Sequence, residues 1–116
     1  MSKHHQIDLV EFRAQSKEEL KTLTSFYKSA FAWEYKDWGE EYSDTSDSGM
    51  TSAVDLVEES SKNMTLTVIY SEDLDATKKA VTEAGGKVTQ DTYDFPGGRR
   101  FHFNDPAGNE LAVWSE

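Results

Sequence analysis

The chain runs twice through one succession of elements: a strand, a helix and three further strands. That order limits its folds more than any single motif does, because a helix and a small sheet each need the other to cover an apolar face. In the first pass, Ile7 to Ala14 is rich in β-branched and aromatic residues and reads as a strand. Ser16 and Glu19 have the spacing of a capping box, which satisfies backbone N–H groups at a helix start. The helix behind them carries Leu20, Leu23, Tyr27, Ala30 and Phe31 at helical spacing and is expected to bury them as one stripe. Trp33 to Trp38 alternates aromatic with polar residues, as a half-buried strand does. Glu40 to Ser48 is acidic and reads as a short edge strand or a mobile loop. Thr51 to Val57 is another strand, and the polar run Glu58 to Asn63 reads as the connector between modules.

The second pass repeats the order without repeating the residues. Met64 to Tyr70 is a strand, and Ser71 or Asp73 caps a helix with Leu74, Thr77, Val81 and Ala84 on one side. Gly85 and Gly86 stop that helix, since glycine takes the left-handed closing conformation without strain. Lys87 to Thr92 is a strand, and Phe95-Pro96-Gly97-Gly98 is a turn. Arg99 to Asn104 and Glu110 to Trp114 are strands joined by Asp105-Pro106-Ala107-Gly108-Asn109, where proline and Gly108 set the turn. Module one spans about 7–57 and module two about 64–115, within a single domain of 1–116.

A chain of 116 residues buries roughly two-thirds of its unfolded surface, enough for one core. It has no cysteine, and Met1 to Gln6 has no apolar run behind its charge, so it does not read as a signal peptide. No stretch approaches the ~18 apolar residues of a membrane span. These features point to a cytoplasmic protein with no membrane partner. The net charge of −10 repels a phosphate backbone and argues against nucleic acid. Acidity keeps a protein soluble, and it also suits a pocket for a cation.

Several pieces, in order along nearly the whole chain, carry a resemblance to a known family. They are Phe26-Tyr27 with Phe31-Ala32-Trp33, Asp73-Leu74-Asp75, Ala84-Gly85-Gly86, Gly97-Gly98-Arg99 and Asp105-Pro106-Ala107-Gly108-Asn109. Together they resemble the vicinal oxygen chelate superfamily of glyoxalases, bleomycin-resistance proteins and extradiol dioxygenases. The resemblance implies an α+β fold in which two paired βαβββ modules form a curved mixed sheet around a cleft, with helices outside. It also implies a small-molecule ligand and a homodimer. It does not fix the activity, because lyases, isomerases, dioxygenases and non-catalytic binders share the fold. Where the family has glycine, this chain has Ala32, which is costly if the first helix ends left-handed.

Metal-using relatives hold one divalent ion with His or Glu side chains from four strands, where it polarises a substrate oxygen. Carried over by position, Asp105 leads to Ala112 in the last strand, and Gly85 leads back to Leu66 in the fifth. The first strand gives Leu9, with Glu11 two residues on, and the fourth places Asp55 near the position. Leu66 and Ala112 cannot bind a metal, so the expectation is no metal and no cofactor. His4 and His5 are adjacent, so in an extended terminus they point apart into solvent.

The candidate ligand-binding residues are Glu11, Asp55, Arg100, His102, Glu110, Ala112 and Trp114. Glu110, Ala112 and Trp114 share one face of the last strand, leaving Leu111 and Val113 for the helices. Glu11 is expected to join them across the cleft. Candidates for proton transfer are Glu11, His102 and Glu110. A histidine placed like His102 is more often a hydrogen-bonded partner of a neighbouring strand, and Arg99 or Arg100 reads as a clamp for an anion or, more commonly, as a partner for surface acids. The first reading of function is a metal-independent protein that binds a small cationic or aromatic molecule. The alternative is a metal-free lyase or isomerase, with lactoylglutathione lyase activity further behind.

Overall fold

The computed structural model describes residues 2–57 and 65–116. The connector at Glu58 to Asn63 and the expected strand start at Met64 lie outside the described residues. Among the described residues, eight strands and two helices make a mixed α+β fold whose element order is strand, helix, three strands, twice over. The chain divides into two compact units, Leu9–Thr65 and a second unit of Leu66–Glu116 together with Met1–Asp8.

In the first unit, β1 (Ile7–Ala14) pairs in parallel with β4 (Thr51–Leu56), which pairs antiparallel with β3 (Tyr42–Thr45). A two-residue strand, β2 (Lys36–Asp37), completes the edge. Helix α1 (Lys17–Phe31) starts as its capping signal requires: the Ser16 hydroxyl accepts from the Glu19 N–H at 3.0 Å. The Glu19 carboxylate in turn accepts from the Gln15 N–H at 2.9 Å. Ala14, Leu20 and Val54 form the buried cluster, with Leu23, Tyr35 and Leu56 against it.

Two expectations for this unit need correction. The apolar stripe of α1 is buried only at Leu20; Ala30 is exposed and Phe31 is 58% exposed. The strand expected over Trp33 to Trp38 shrinks to Lys36–Asp37. One cause serves both. Ala32 ends the helix with φ 63° and ψ 29°, its N–H bonded to the Lys28 carbonyl. That left-handed turn folds Trp33 back onto Tyr27, ring centroids 5.2 Å apart, and Phe26 and Phe31 close the stack. The rings pack on one another while Phe26 and Phe31 stay more than half exposed, and extended pairing begins only at Lys36.

Alanine holds that left-handed position at a steric cost that glycine avoids. Ala32→Gly is therefore expected to stabilise the protein by about 0.5–1 kcal/mol in denaturant unfolding, net of glycine's larger unfolded-state entropy. Destabilisation would show that the helix end draws on the alanine methyl group.

In the second unit, β5 (Leu66–Tyr70) pairs in parallel with β8 (Glu110–Ser115), which pairs antiparallel with β7 (Gly98–Asn104). β7 pairs with β6 (Lys87–Phe95) through the Pro96-Gly97 hairpin. Helix α2 (Leu74–Glu83) is capped by Asp73, whose carboxylate accepts from the Ala76 N–H at 3.1 Å. It stops at Gly85, φ 106°. Leu74, Phe101, Phe103 and Val113 form the core, flanked by Ile69, Val81, Val88 and Leu111. At the β7–β8 turn, Asp105 accepts from the N–H groups of Ala107 and Asn109 and from the Asn109 side chain. The Asn109 bonds hold its carboxyl below the usual carboxylate range.

The N-terminal residues also depart from expectation. His5 has φ 60°, so the chain turns, and the two imidazoles stack at 3.7 Å instead of pointing apart. His4 Nδ1 accepts from the Glu72 N–H at 2.9 Å, and His5 Nε2 lies 3.0 Å from the Thr77 hydroxyl. The pair is exposed but docked beside the start of α2.

Candidate functional site

Strand alternation fixes which side chains can act together. In β8, Leu111 and Val113 face α2, so Glu110, Ala112 and Trp114 take the other face. The β7 register puts Arg100 opposite Trp114, His102 opposite Ala112 and Asn104 opposite Glu110. The β5 register adds Val68 beside Ala112 and Tyr70 beside Trp114. Arg100, His102, Glu110, Ala112 and Trp114 are thus brought onto one sheet face of the second unit. Arg99 is exposed on the opposite face.

Near one end of this face, His102 is 7% exposed and held at both nitrogens. Its Nδ1 lies 3.2 Å from Oε2 of Glu110, and its Nε2 lies 3.0 Å from the Tyr93 hydroxyl. An ionised carboxylate only accepts, so the Nδ1 proton points to Glu110 and Nε2 accepts from the phenol. The Tyr93 and His102 rings stack at 5.8 Å, 23° from parallel. β6 reaches this position through two register shifts, between Val88 and Gln90 and between Gln90 and Tyr93. Such bulges re-aim side chains. The second is braced by Asp91, which accepts from the Thr92 N–H and pairs with Lys78 of α2. The Lys78 bond holds the Asp91 carboxyl below its ordinary range.

Towards the other end, the Trp114 indole N–H donates to Asp8 at 2.9 Å. Tyr70 meets Trp114 edge-on at 5.0 Å, and Phe95 lies 6.2 Å away. The Tyr70 hydroxyl donates to Glu116 at 2.9 Å, and that bond raises the phenol above its usual range.

Glu11 and Asp55 lie in the first unit. Glu11 is 1% exposed, and its Oε2 accepts from the Tyr42 hydroxyl at 2.9 Å. Asp55 stands opposite Tyr42 in β3 and opposite Arg13 in β1.

Leu66 and Ala112, onto which the resemblance carries two of the family's metal-ligand positions, are 1% and 0% exposed. Neither side chain has a donor atom. Among the described residues, no three His, Asp or Glu side chains converge as a metal site. The residues present do not fit the family's divalent ion.

Three participants escape the sequence reading. Tyr93 was within reach: a two-residue turn at Pro96-Gly97 pairs Phe95 with Gly98 and so Tyr93 with Arg100. Asp8 and Tyr42 had no local signal, because each acts on a residue far along the chain.

The family model for the glyoxalase-like domain matches residues 14–114. No curated protein matches the chain. Solved structures share its fold. A hypothetical protein from Bacillus halodurans C-125 is 12% identical, with TM-score 0.73, covering 98% of this chain and 96% of that one. A glyoxalase/bleomycin resistance protein/dioxygenase superfamily member from Vibrio splendidus 12B01 is 12% identical, with TM-score 0.66, covering 93% and 97%. A methylmalonyl-CoA epimerase, solved with methylmalonyl-CoA and NH4+, is 16% identical, with TM-score 0.64, covering 98% and 96%. At such identities the likeness is one of fold.

Proposed function

Because the chain belongs to the glyoxalase-like domain family, we propose that it is a metal-independent protein that binds a small organic cation. The observation that carries this reading is the company of Trp114. Its indole N–H is tied to the Asp8 carboxylate, and Tyr70 and Phe95 flank its ring. Carboxylates beside aromatic faces attract a cation through charge and through the ring quadrupole. Leu66 and Ala112, standing where relatives hold metal, support the absence of an ion from the chemistry. The epimerase solved with methylmalonyl-CoA shows that a protein of this fold holds a small molecule.

We place the protein in the cytoplasm as a homodimer with no nucleic-acid or membrane partner. The absence of cysteine and the charge of −10 support this. So does the lack, among the described residues, of a helix long and apolar enough to cross a membrane. The exposed Phe26 and Phe31 are suited to an interface between copies.

Calorimetric titration tests the ligand class, with 1-methylquinolinium as the cationic probe and benzoate as the anionic one. The cation is expected to bind equally with and without EDTA. Trp114→Phe should weaken it about tenfold, the effect of losing roughly 1–2 kcal/mol of cation–π attraction. No binding, or binding of benzoate alone, overturns the cationic reading, and the second result would assign the face to an anion held by Arg100 and His102.

A further inference from the structure

The bond pattern around His102 asks more of it than filling space. A buried neutral imidazole can be satisfied by one carboxylate and one backbone N–H. Here Glu110 takes the Nδ1 proton, and the atom presented to Nε2 is the oxygen of a phenol, a group that can itself react. This is the arrangement of an activated nucleophile: a hydroxyl, a base within hydrogen-bond reach, and a third group that orients the base. The side chains come from three strands, β6, β7 and β8, whose cross-strand pairing fixes the geometry. His102 is buried, Glu110 has a side chain 26% exposed, and Tyr93 is half-buried, so the phenol end of the relay meets solvent more than the base does. Arg100 stands opposite Tyr93 in the strand register.

We propose that Glu110, His102 and Tyr93 form a proton relay that makes the Tyr93 phenol a nucleophile towards small activated esters. The phenol oxygen attacks the ester carbonyl, and its proton passes to Nε2 of His102 as the new C–O bond forms. Glu110 stabilises the imidazolium. The bond to the leaving group breaks, and the leaving oxygen departs with its electron pair and takes up the proton from Nε2. The acyl group remains on Tyr93, and no metal, oxidant or reductant takes part. The inference uses the sheet face already described but does not depend on a cation binding there.

The test uses the full chain and p-nitrophenyl acetate, with no other ligand present, so its outcome is independent of the titration with 1-methylquinolinium. The chain has five tyrosines, which serve as internal controls. Peptide mass spectrometry should find Tyr93 acetylated about tenfold faster than Tyr27, which is also half-buried, is stacked between the rings of Phe12 and Trp33, and has no hydrogen-bonded base among the described residues. Release of p-nitrophenolate should stop near one equivalent in the fast phase, and Tyr93→Phe should abolish that phase. His102→Gln should slow it about a hundredfold, the lower end of what general base catalysis contributes. Glu110→Gln, at a partly exposed position, should slow it about tenfold and keeps the test decisive if His102→Gln does not fold. Acetylation of Tyr93 no faster than that of Tyr27, or a fast phase unchanged in Glu110→Gln, would overturn the proposal.

Discussion

Gly98→Ala is expected to cost about 2–4 kcal/mol in denaturant unfolding. Two effects add. Gly98 has φ 156°, outside the range an alanine adopts comfortably, which costs roughly 1 kcal/mol or more. A methyl group there would also drive into the carbonyl oxygen of Ser115 and press on Cα of Glu116. Both are backbone atoms, so relief requires β8 to move, and overpacking of that kind costs about 1–3 kcal/mol. Gly108→Ala separates the two effects. Gly108 also has positive φ, 92°, but open space where its Cβ would lie, so it should show the backbone cost alone, about 1 kcal/mol. Equal losses in the two variants would mean that β8 yields freely at Ser115. The end of β8 that must move carries Trp114, so Gly98→Ala should also weaken binding of 1-methylquinolinium.

The second large effect lies in the other unit. Tyr42→Phe is expected to destabilise the protein by about 1.5–3 kcal/mol, the range for a hydrogen bond to a charged group. The Glu11 carboxylate is 1% exposed, and water cannot replace the phenol that donates to it without opening the sheet face. Glu11→Gln combined with Tyr42→Phe in a double-mutant cycle isolates the pair. A coupling of about 1 kcal/mol or more is expected. Strict additivity would show that the bond contributes nothing net.

How much of this was legible in the sequence follows the range of the interactions. The Ser16–Glu19 cap, the Asp105–Asn109 turn and the Pro96-Gly97 hairpin are decided within a few residues, and each stands where the residues put it. Alternation grouped Glu110, Ala112 and Trp114 on one face of β8, the resemblance chose which face meets a ligand, and Leu111 and Val113 pack with the core under α2. The end of α1 was not legible. Helical spacing shows which residues share a stripe but not whether a sheet extends beneath all of it, and Phe31 finds only other rings. His102 was read with two meanings, and the structure provides the partners, Glu110 eight residues along and Tyr93 nine residues back. Glu11 and Glu110 are both expected beside Trp114 from the sequence, which gave no sign of the Asp8 carboxylate that bonds its indole.

That last bond has a consequence for how the protein is made. Asp8 and Trp114 are 106 residues apart in sequence, and His5 and Thr77 are 72 apart, yet both pairs close within the second unit. A ribosome delivers the chain from the N-terminus, so the first residues emerge long before their partners. Asp8 has no indole to bond until β8 leaves the exit tunnel, whereas His5 meets Tyr70 and Thr77 sooner. The second unit therefore completes only once β8 has emerged, whereas the strands of the first unit are all made earlier. Late closure of so long a loop slows the final step of folding. In the interval Tyr70 and Phe95 lack the Trp114 ring they pack on, and the nascent chain is then most exposed to chaperones and proteases.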